Sequence, residues 1–177
     1  MKSRKTTWGM SSTLNFLSIV KKPIPWTNPT YVFGYGSLMY PSGLNDIKRG
    51  MTHIYDWKEL KIAELKGFKR SMSANYGNIA FYGIRQVQRA ICNGVVFQVH
   101  NLQDYEGLLL SEFAHPYIQL YYSKQDLVYN ATDITPYVSG FEVPSGGRVI
   151  AFVVPKTKKD GDYNPYYVEK VWRGIQP

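Results

Sequence analysis

The chain holds one cysteine, Cys92, and three histidines, His53, His100 and His115, in 177 residues. A single cysteine excludes an internal disulfide. With it, histidines so scattered leave no metal-ligand cluster at the usual spacings, so no metal is expected. No apolar run approaches the ~18 residues of a membrane span. The run Leu14 to Val20 is short and no small-residue cleavage site follows it. A secretory signal is therefore rejected and a cytoplasmic protein expected. Acidic residues are missing before Asp46, while Lys2, Arg4, Lys5, Lys21 and Lys22 stand in that stretch. These five supply most of the net charge of +8. Beyond them the densest basic run is Lys156-Thr157-Lys158-Lys159, which argues against a nucleic-acid partner.

What is present is ordinary globular material: 44% hydrophobic, 19% charged, with fifteen tyrosines and eight phenylalanines that lean toward β structure. The length suits one domain. Residues 1–30 read as a basic extension ending in the extended connector Pro23 to Pro29, whose Trp26 is placed to pack on the domain. Its acid-free, Ser/Thr-containing composition is shared with organelle transit peptides, the alternative reading of the arm. Residues 31–177 form the domain. Pro41 to Gly50 reads as a short helix ending at Gly50. Leu60 to Leu65, Asn78 to Ile84, Ala90 to Val99, Tyr117 to Tyr122 and Val149 to Val154 read as strands, the last a buried central one. Asn101 to Phe113 reads as a helix capped by Asn101, with Leu102, Tyr105, Leu109 and Phe113 on one apolar face. Residues 123–147 read as an irregular loop or flap. Pro165 to Gly174 reads as a final helix with proline near its start. Short strands among helices, without regular βαβ alternation, indicate an α+β fold.

The centre of the chain is Tyr31-Val32-Phe33-Gly34-Tyr35-Gly36-Ser37-Leu38-Met39. A short strand runs into two glycines and then Ser37. Glycine tolerates positive φ and close backbone approach, so such a turn can present amides to a carboxylate or an oxyanion. An unliganded tight turn is the alternative. Met39 stands where a dinucleotide fingerprint needs its third glycine, and no G-x-S-x-G surrounds Ser37.

Val32-Phe33-Gly34-Tyr35-Gly36-Ser37-Leu38 resembles the signature loop of the γ-glutamylcyclotransferase-like family. Lys66-Gly67-Phe68-Lys69-Arg70-Ser71, the strand Gly94 to Val99 and the helix Pro165 to Gly174 resemble further segments of that family. The similarity runs over roughly residues 31–175 and is weak in 41–58 and 123–147. It implies a small, mostly antiparallel closed β-barrel flanked by helices. It also implies a cyclotransferase that releases 5-oxoproline and a free amine from a small γ-glutamyl substrate, with no cofactor and no metal. Gly34, Tyr35, Gly36, Ser37, Leu38, Tyr117 and Tyr167 would bind the substrate. Arg70 is open to three roles: surface charge, structural anchor or substrate contact.

The resemblance also demands one catalytic glutamate on or after the helix that follows Val95-Val96-Phe97. Periodicity does not choose between Glu106 and Glu112. Spacing from Phe97 and to Tyr117 favours Glu112, whereas Glu106-Gly107 copies a pair common in relatives. A solvated helical glutamate is the usual fate of either residue. A glutamate lodged among Leu109, Leu110 and Phe113 would instead be partly desolvated. Glu112 is taken as the proton carrier, and His115 as a loop residue before Pro116. The rival reading is an inactive member of the same fold that binds a small acid or a protein.

Overall fold

The computed structural model describes residues 24–76, 79–112, 114, 129–154 and 165–174. Among these residues six strands form one curled sheet in the order β4-β6-β1-β3-β2-β5, flanked by three helices. The expected α+β class is what the chain forms. The closed barrel is not: among the described residues the sheet ends at the edge strands β4 and β5.

Strand β1 (Thr30–Gly34) is central: Val32 and Phe33 are fully buried, and the buried Thr30 hydroxyl is satisfied by donating to the Thr27 carbonyl. It pairs antiparallel with the end of β3 (Ile79–Val99) and parallel with β6 (Arg148–Val153). Strand β6 is the continuous apolar run expected to be buried, and Val149 to Phe152 are. Past Gly34, where β1 ends, β6 and β3 close on each other: Ile84 pairs with Val153, and the Val154 amide donates to Ile84 at 3.0 Å. The glycine loop leaves the sheet at this wedge.

Strand β2 (Lys61–Tyr76) and β3 make one long hairpin. Alternation sets its faces: Ala63, Leu65 and Phe68 point inward, whereas Ile62 is exposed. The two strands read separately before and after residue 85 are one strand with an irregularity. Its register jumps from Lys66↔Ile91 to Phe68↔Gln86, and Gly67 and Arg89 take positive φ there. Cys92 lies in the core, as its apolar setting indicates.

The reading of 123–147 as irregular is corrected over its described part. Strand β4 (Asn130–Asp133) pairs with β6, a 3₁₀ turn spans Thr135–Tyr137, and β5 (Val138–Ser139) pairs with β2. Short polar edge strands look like loop in sequence, since an edge needs neither apolar alternation nor freedom from turn residues. The expected helix before Gly50 is split: α1 covers Pro41–Leu44 and a 3₁₀ turn covers Ile47–Arg49, stopped by Gly50 in the left-handed region. Helix α2 (Leu102–Ser111) is capped by Asn101, whose side chain accepts from the Asp104 amide at 2.8 Å. Its buried face is Tyr105, Leu108 and Leu109; Leu102, expected on it, is half exposed in the first turn. Helix α3 (Pro165–Gly174) has the predicted bounds. Ile24 and Trp26 pack against the core, and the Tyr105 hydroxyl donates to the Ile24 carbonyl at 2.6 Å. No helix among the described residues is long and apolar enough to cross a membrane.

Candidate active site

The loop after β1 turns into a 3₁₀ turn, Ser37–Met39, closed by the Met39 amide on the Gly36 carbonyl at 3.0 Å. Gly34 and Gly36 do not have positive φ. What they provide is close approach: a Cβ on Gly34 would stand 2.4 Å from the Leu38 carbonyl oxygen. Tyr35 and Leu38 are buried, and the Tyr35 hydroxyl donates to the Phe152 carbonyl. Burial, then the nearby Tyr129, Glu112, Tyr167 and Cys92, pushes the Tyr35 phenol well above its ordinary value. Arg70 proves to be an anchor: it donates to the Tyr35 carbonyl at 2.7 Å and to Asn93 O at 3.3 Å.

Ser37 alone of the loop side chains reaches a cavity of about 280 Å³, which it shares with Arg49, Ser111, Glu112, Tyr129 and Tyr167. Glu112 caps the end of α2, its amide donating to Leu108 O at 3.0 Å, so the helix terminus fixes where its carboxylate emerges. The carboxylate is largely buried and paired with an arginine. Its Oε1 lies 2.5 Å from Arg49 Nη1, and the two side chains are 14% and 9% exposed. Arg49 also donates to Gly43 O (2.7 Å), Ser111 Oγ (2.7 Å) and Ser37 Oγ (3.1 Å). One guanidinium thus joins the glycine loop, the end of α2 and helix α1. Its planar fork suits such multiple contacts.

Tyr167 comes from α3. Its hydroxyl lies within hydrogen-bonding reach of the Ser37 amide and hydroxyl, and 2.7 Å from where a Gly36 Cβ would be. Phe81 and Tyr82 pack edge-on to its ring at 5.1 and 5.5 Å. Burial, then the Glu112 charge, pushes its phenol well above the ordinary pKa. Tyr129 donates to Tyr82 O at 2.5 Å and lines the opposite wall. Glu106 is exposed on the outer side of α2. Its neighbour Gly107 has a packing role: a Cβ there would stand 2.3 Å from the Arg49 carbonyl oxygen. Tyr117 and His115 lie outside the described residues.

Of the residues taken from sequence, Ser37, Glu112 and Tyr167 meet at the cavity, with Gly36 directly beneath the Tyr167 hydroxyl. Gly34, Tyr35 and Leu38 shape the loop from below. Arg49, Ser111 and Tyr129 were missed. The one signal for Arg49 is the mid-helix Gly107, since such a glycine costs about 1 kcal/mol against alanine and implies close packing. Elsewhere, two of the histidines that read as scattered come together. His53 and His100 converge on Glu59 because the turn after β3 lies over residues 52–59.

No family model matches the sequence, and no curated protein matches it. Solved structures do match. YkqA from Bacillus subtilis aligns over 84% of this chain with a TM-score of 0.55 and 20% identity. The alignment covers 48% of YkqA, so the chain spans about half the length of that protein. A structure titled gamma-glutamyl cyclotransferase aligns over 83% of this chain and 78% of its own, with a TM-score of 0.57 and 14% identity. The chain has a γ-glutamylcyclotransferase-like fold. The uncharacterized protein LOC79017 from Homo sapiens shares that fold, with a TM-score of 0.57 and 13% identity over 85% of this chain and 83% of its own. In the γ-glutamylcyclotransferase-like fold of this chain, the cavity lies where the loop leaves β1, at the wedge between β3 and β6.

Proposed function

We propose that the chain is a γ-glutamyl cyclotransferase, cleaving a γ-glutamyl amide by intramolecular cyclisation to 5-oxoproline and a free amine. The observation that carries this reading is the cavity in which Ser37 and Glu112 are held by the same arginine. Its volume, about 280 Å³, suits a group of glutamyl size.

The substrate's γ-glutamyl part enters between Ser37 and Tyr167. The Ser37 amide and hydroxyl and the Tyr167 hydroxyl polarise the γ-carbonyl as negative charge develops on its oxygen. Donors of this kind contribute roughly 2.7–4 kcal/mol each to the transition state. Glu112, presented by Arg49 as a carboxylate, takes a proton from the α-ammonium. The freed amine attacks the γ-carbonyl carbon and closes a five-membered ring. The C–N bond to the leaving amine breaks as Glu112 returns the proton to its nitrogen, and the second proton carried by the ring nitrogen passes to the released amine, which departs as an ammonium. Because attacking and attacked groups belong to one molecule, holding the near-attack geometry supplies much of the acceleration. An adjoining groove lined by Tyr40, Ser42 and Tyr166 shares Asp46 and Lys170 with the cavity and gives the leaving amine room.

The test is a parallel assay of amine release by wild type, Glu112→Gln and Glu106→Gln. Glu112→Gln lowers kcat by about 10²–10⁴-fold, the usual worth of a positioned acid–base group. Glu106→Gln leaves kcat within twofold, roughly, as an exposed substitution should. Retained activity in Glu112→Gln would overturn the assignment of the base. Silence of the wild type on every γ-glutamyl amide would favour the inactive, binding-only reading.

A further inference from the structure

Outside the cavity, two histidines and a glutamate face one another beside a separate surface pocket, which Glu59 and His100 help to line. His53 Nε2 is 2.6 Å from Glu59 Oε1, and His100 Nε2 is 3.6 Å from the same oxygen. All three donor atoms lie within 4.8 Å of one another. The two imidazoles are tilted by 39° with centroids 3.9 Å apart. Each side chain is about one-third exposed, so solvent ions reach them. We propose that His53, Glu59 and His100 form a binding site for a divalent transition-metal ion of the zinc type.

The chemistry of the donor set favours it. Imidazole nitrogen with one carboxylate is a set that zinc and its neighbours take, in contrast to the all-oxygen sets of magnesium and calcium. Tetrahedral zinc with bonds of about 2.0–2.2 Å places its donors roughly 3.3 Å apart. The 3.6 Å separation is close to that spacing. The 2.6 Å separation is a hydrogen bond, and an ion would replace the proton now lying between His53 and Glu59.

The supports are already built. Glu59 Oε2 accepts from the Asp56 amide at 2.9 Å, which aims Oε1 at the imidazoles. The His53 amide donates to the buried Asp104 at 3.3 Å, and the Tyr55 ring packs edge-on to His53 at 4.6 Å. Tyr55 is itself pinned to Gln98 O at 2.8 Å. Such outer partners raise metal affinity by fixing ligand orientation. Of the two lysines that line the pocket, Lys61 turns its ammonium onto the Lys58 carbonyl at 2.6 Å. A fourth position opens toward the pocket of about 400 Å³ that Glu59 and His100 line, leaving room for water. The ion would tie residues 53–59 to the junction of β3 and α2. This inference does not depend on the cyclotransferase reading.

The experiment is zinc titration calorimetry on the tag-free full chain, with Co²⁺ absorption as a second readout. One ion binds per chain, and bound Co²⁺ gives the intense visible bands of low coordination. His100→Ala and Glu59→Gln each weaken affinity more than about tenfold, the least that losing even an outer partner costs. His115→Ala, which removes the third histidine, changes nothing. Absence of saturable one-to-one binding, or binding that survives both His100→Ala and Glu59→Gln, or binding lost in His115→Ala, would each overturn the proposal and leave a plain ion pair.

Discussion

Arg49 makes its four contacts with a side chain that is almost out of solvent, so its removal leaves Glu112 with a buried, unpaired charge. Breaking such a pair costs about 3 kcal/mol. Arg49→Met should therefore lower the denaturant midpoint and also disable turnover, and the double variant with Glu112→Gln should recover part of the lost stability. Additive losses in that cycle would show that the two side chains do not act as a pair. The glutamate was legible before the arginine for a physical reason. The resemblance implies a spacing of the glutamate from Phe97 and to Tyr117, whereas Lys48-Arg49-Gly50 reads as a surface run. Burial of Arg49 arises only when α1 and α2 are both in place. The same holds for His100, which is far along the chain from His53 and Glu59 and adjacent to them only after β3 has returned to the turn before β2.

Helix α2 and the turn Ile47–Arg49 touch through Gly107, where the helix backbone comes against Arg49 without any side chain between. Adding one methyl group forces the two elements apart. Gly107→Ala should thus cost about 1–3 kcal/mol of stability. It should also lower kcat without touching the cavity, because Arg49 and Glu112 separate. A matched control is Gly50→Ala, where strain in the left-handed region lowers stability but no contact to α2 changes. Equal kcat in Gly107→Ala and wild type would disconnect the helix position from catalysis. At this scale the sequence was readable wherever period and length agree: β1, β6, α2 and α3 all stand where the pattern places them. It failed at β4 and β5: Asn130 and Asp133 on β4, and Pro136 in the turn between the two strands, carry turn chemistry while the backbone pairs at the sheet edges. It also divided β3 in two, because a break of register inside one strand looks like a loop between two.

The whole molecule carries a cluster of buried phenols. Burial raises Tyr35, Tyr129 and Tyr167 above the ordinary value near 10, and Glu112 adds to each. The folded chain therefore holds protons that the unfolded chain releases above pH 10. Stability from these groups is complete below that pH and falls as pH rises further, by about 1.4 kcal/mol per group per pH unit. Denaturation midpoints should be flat from pH 7 to 9 and drop above 10, with the phenols of Tyr35, Tyr129 and Tyr167, followed by ring NMR signals, ionising together with unfolding. Ionisation of any of these three near pH 10 in folded protein would contradict the burial. The curled sheet, by bringing β3 onto β6 beyond the end of β1, both buries these rings and opens the cavity above them. That cavity's chemistry is the central claim. It is tested most directly by mass spectrometry of the acid product from a panel of γ-glutamyl amides: glutathione, γ-glutamyl amino acids, γ-glutamyl-ε-lysine and γ-glutamyl alkylamines. The account predicts 5-oxoproline in amounts equal to the released amine from at least one member. Free glutamate in its place, or no product from folded protein, would contradict it.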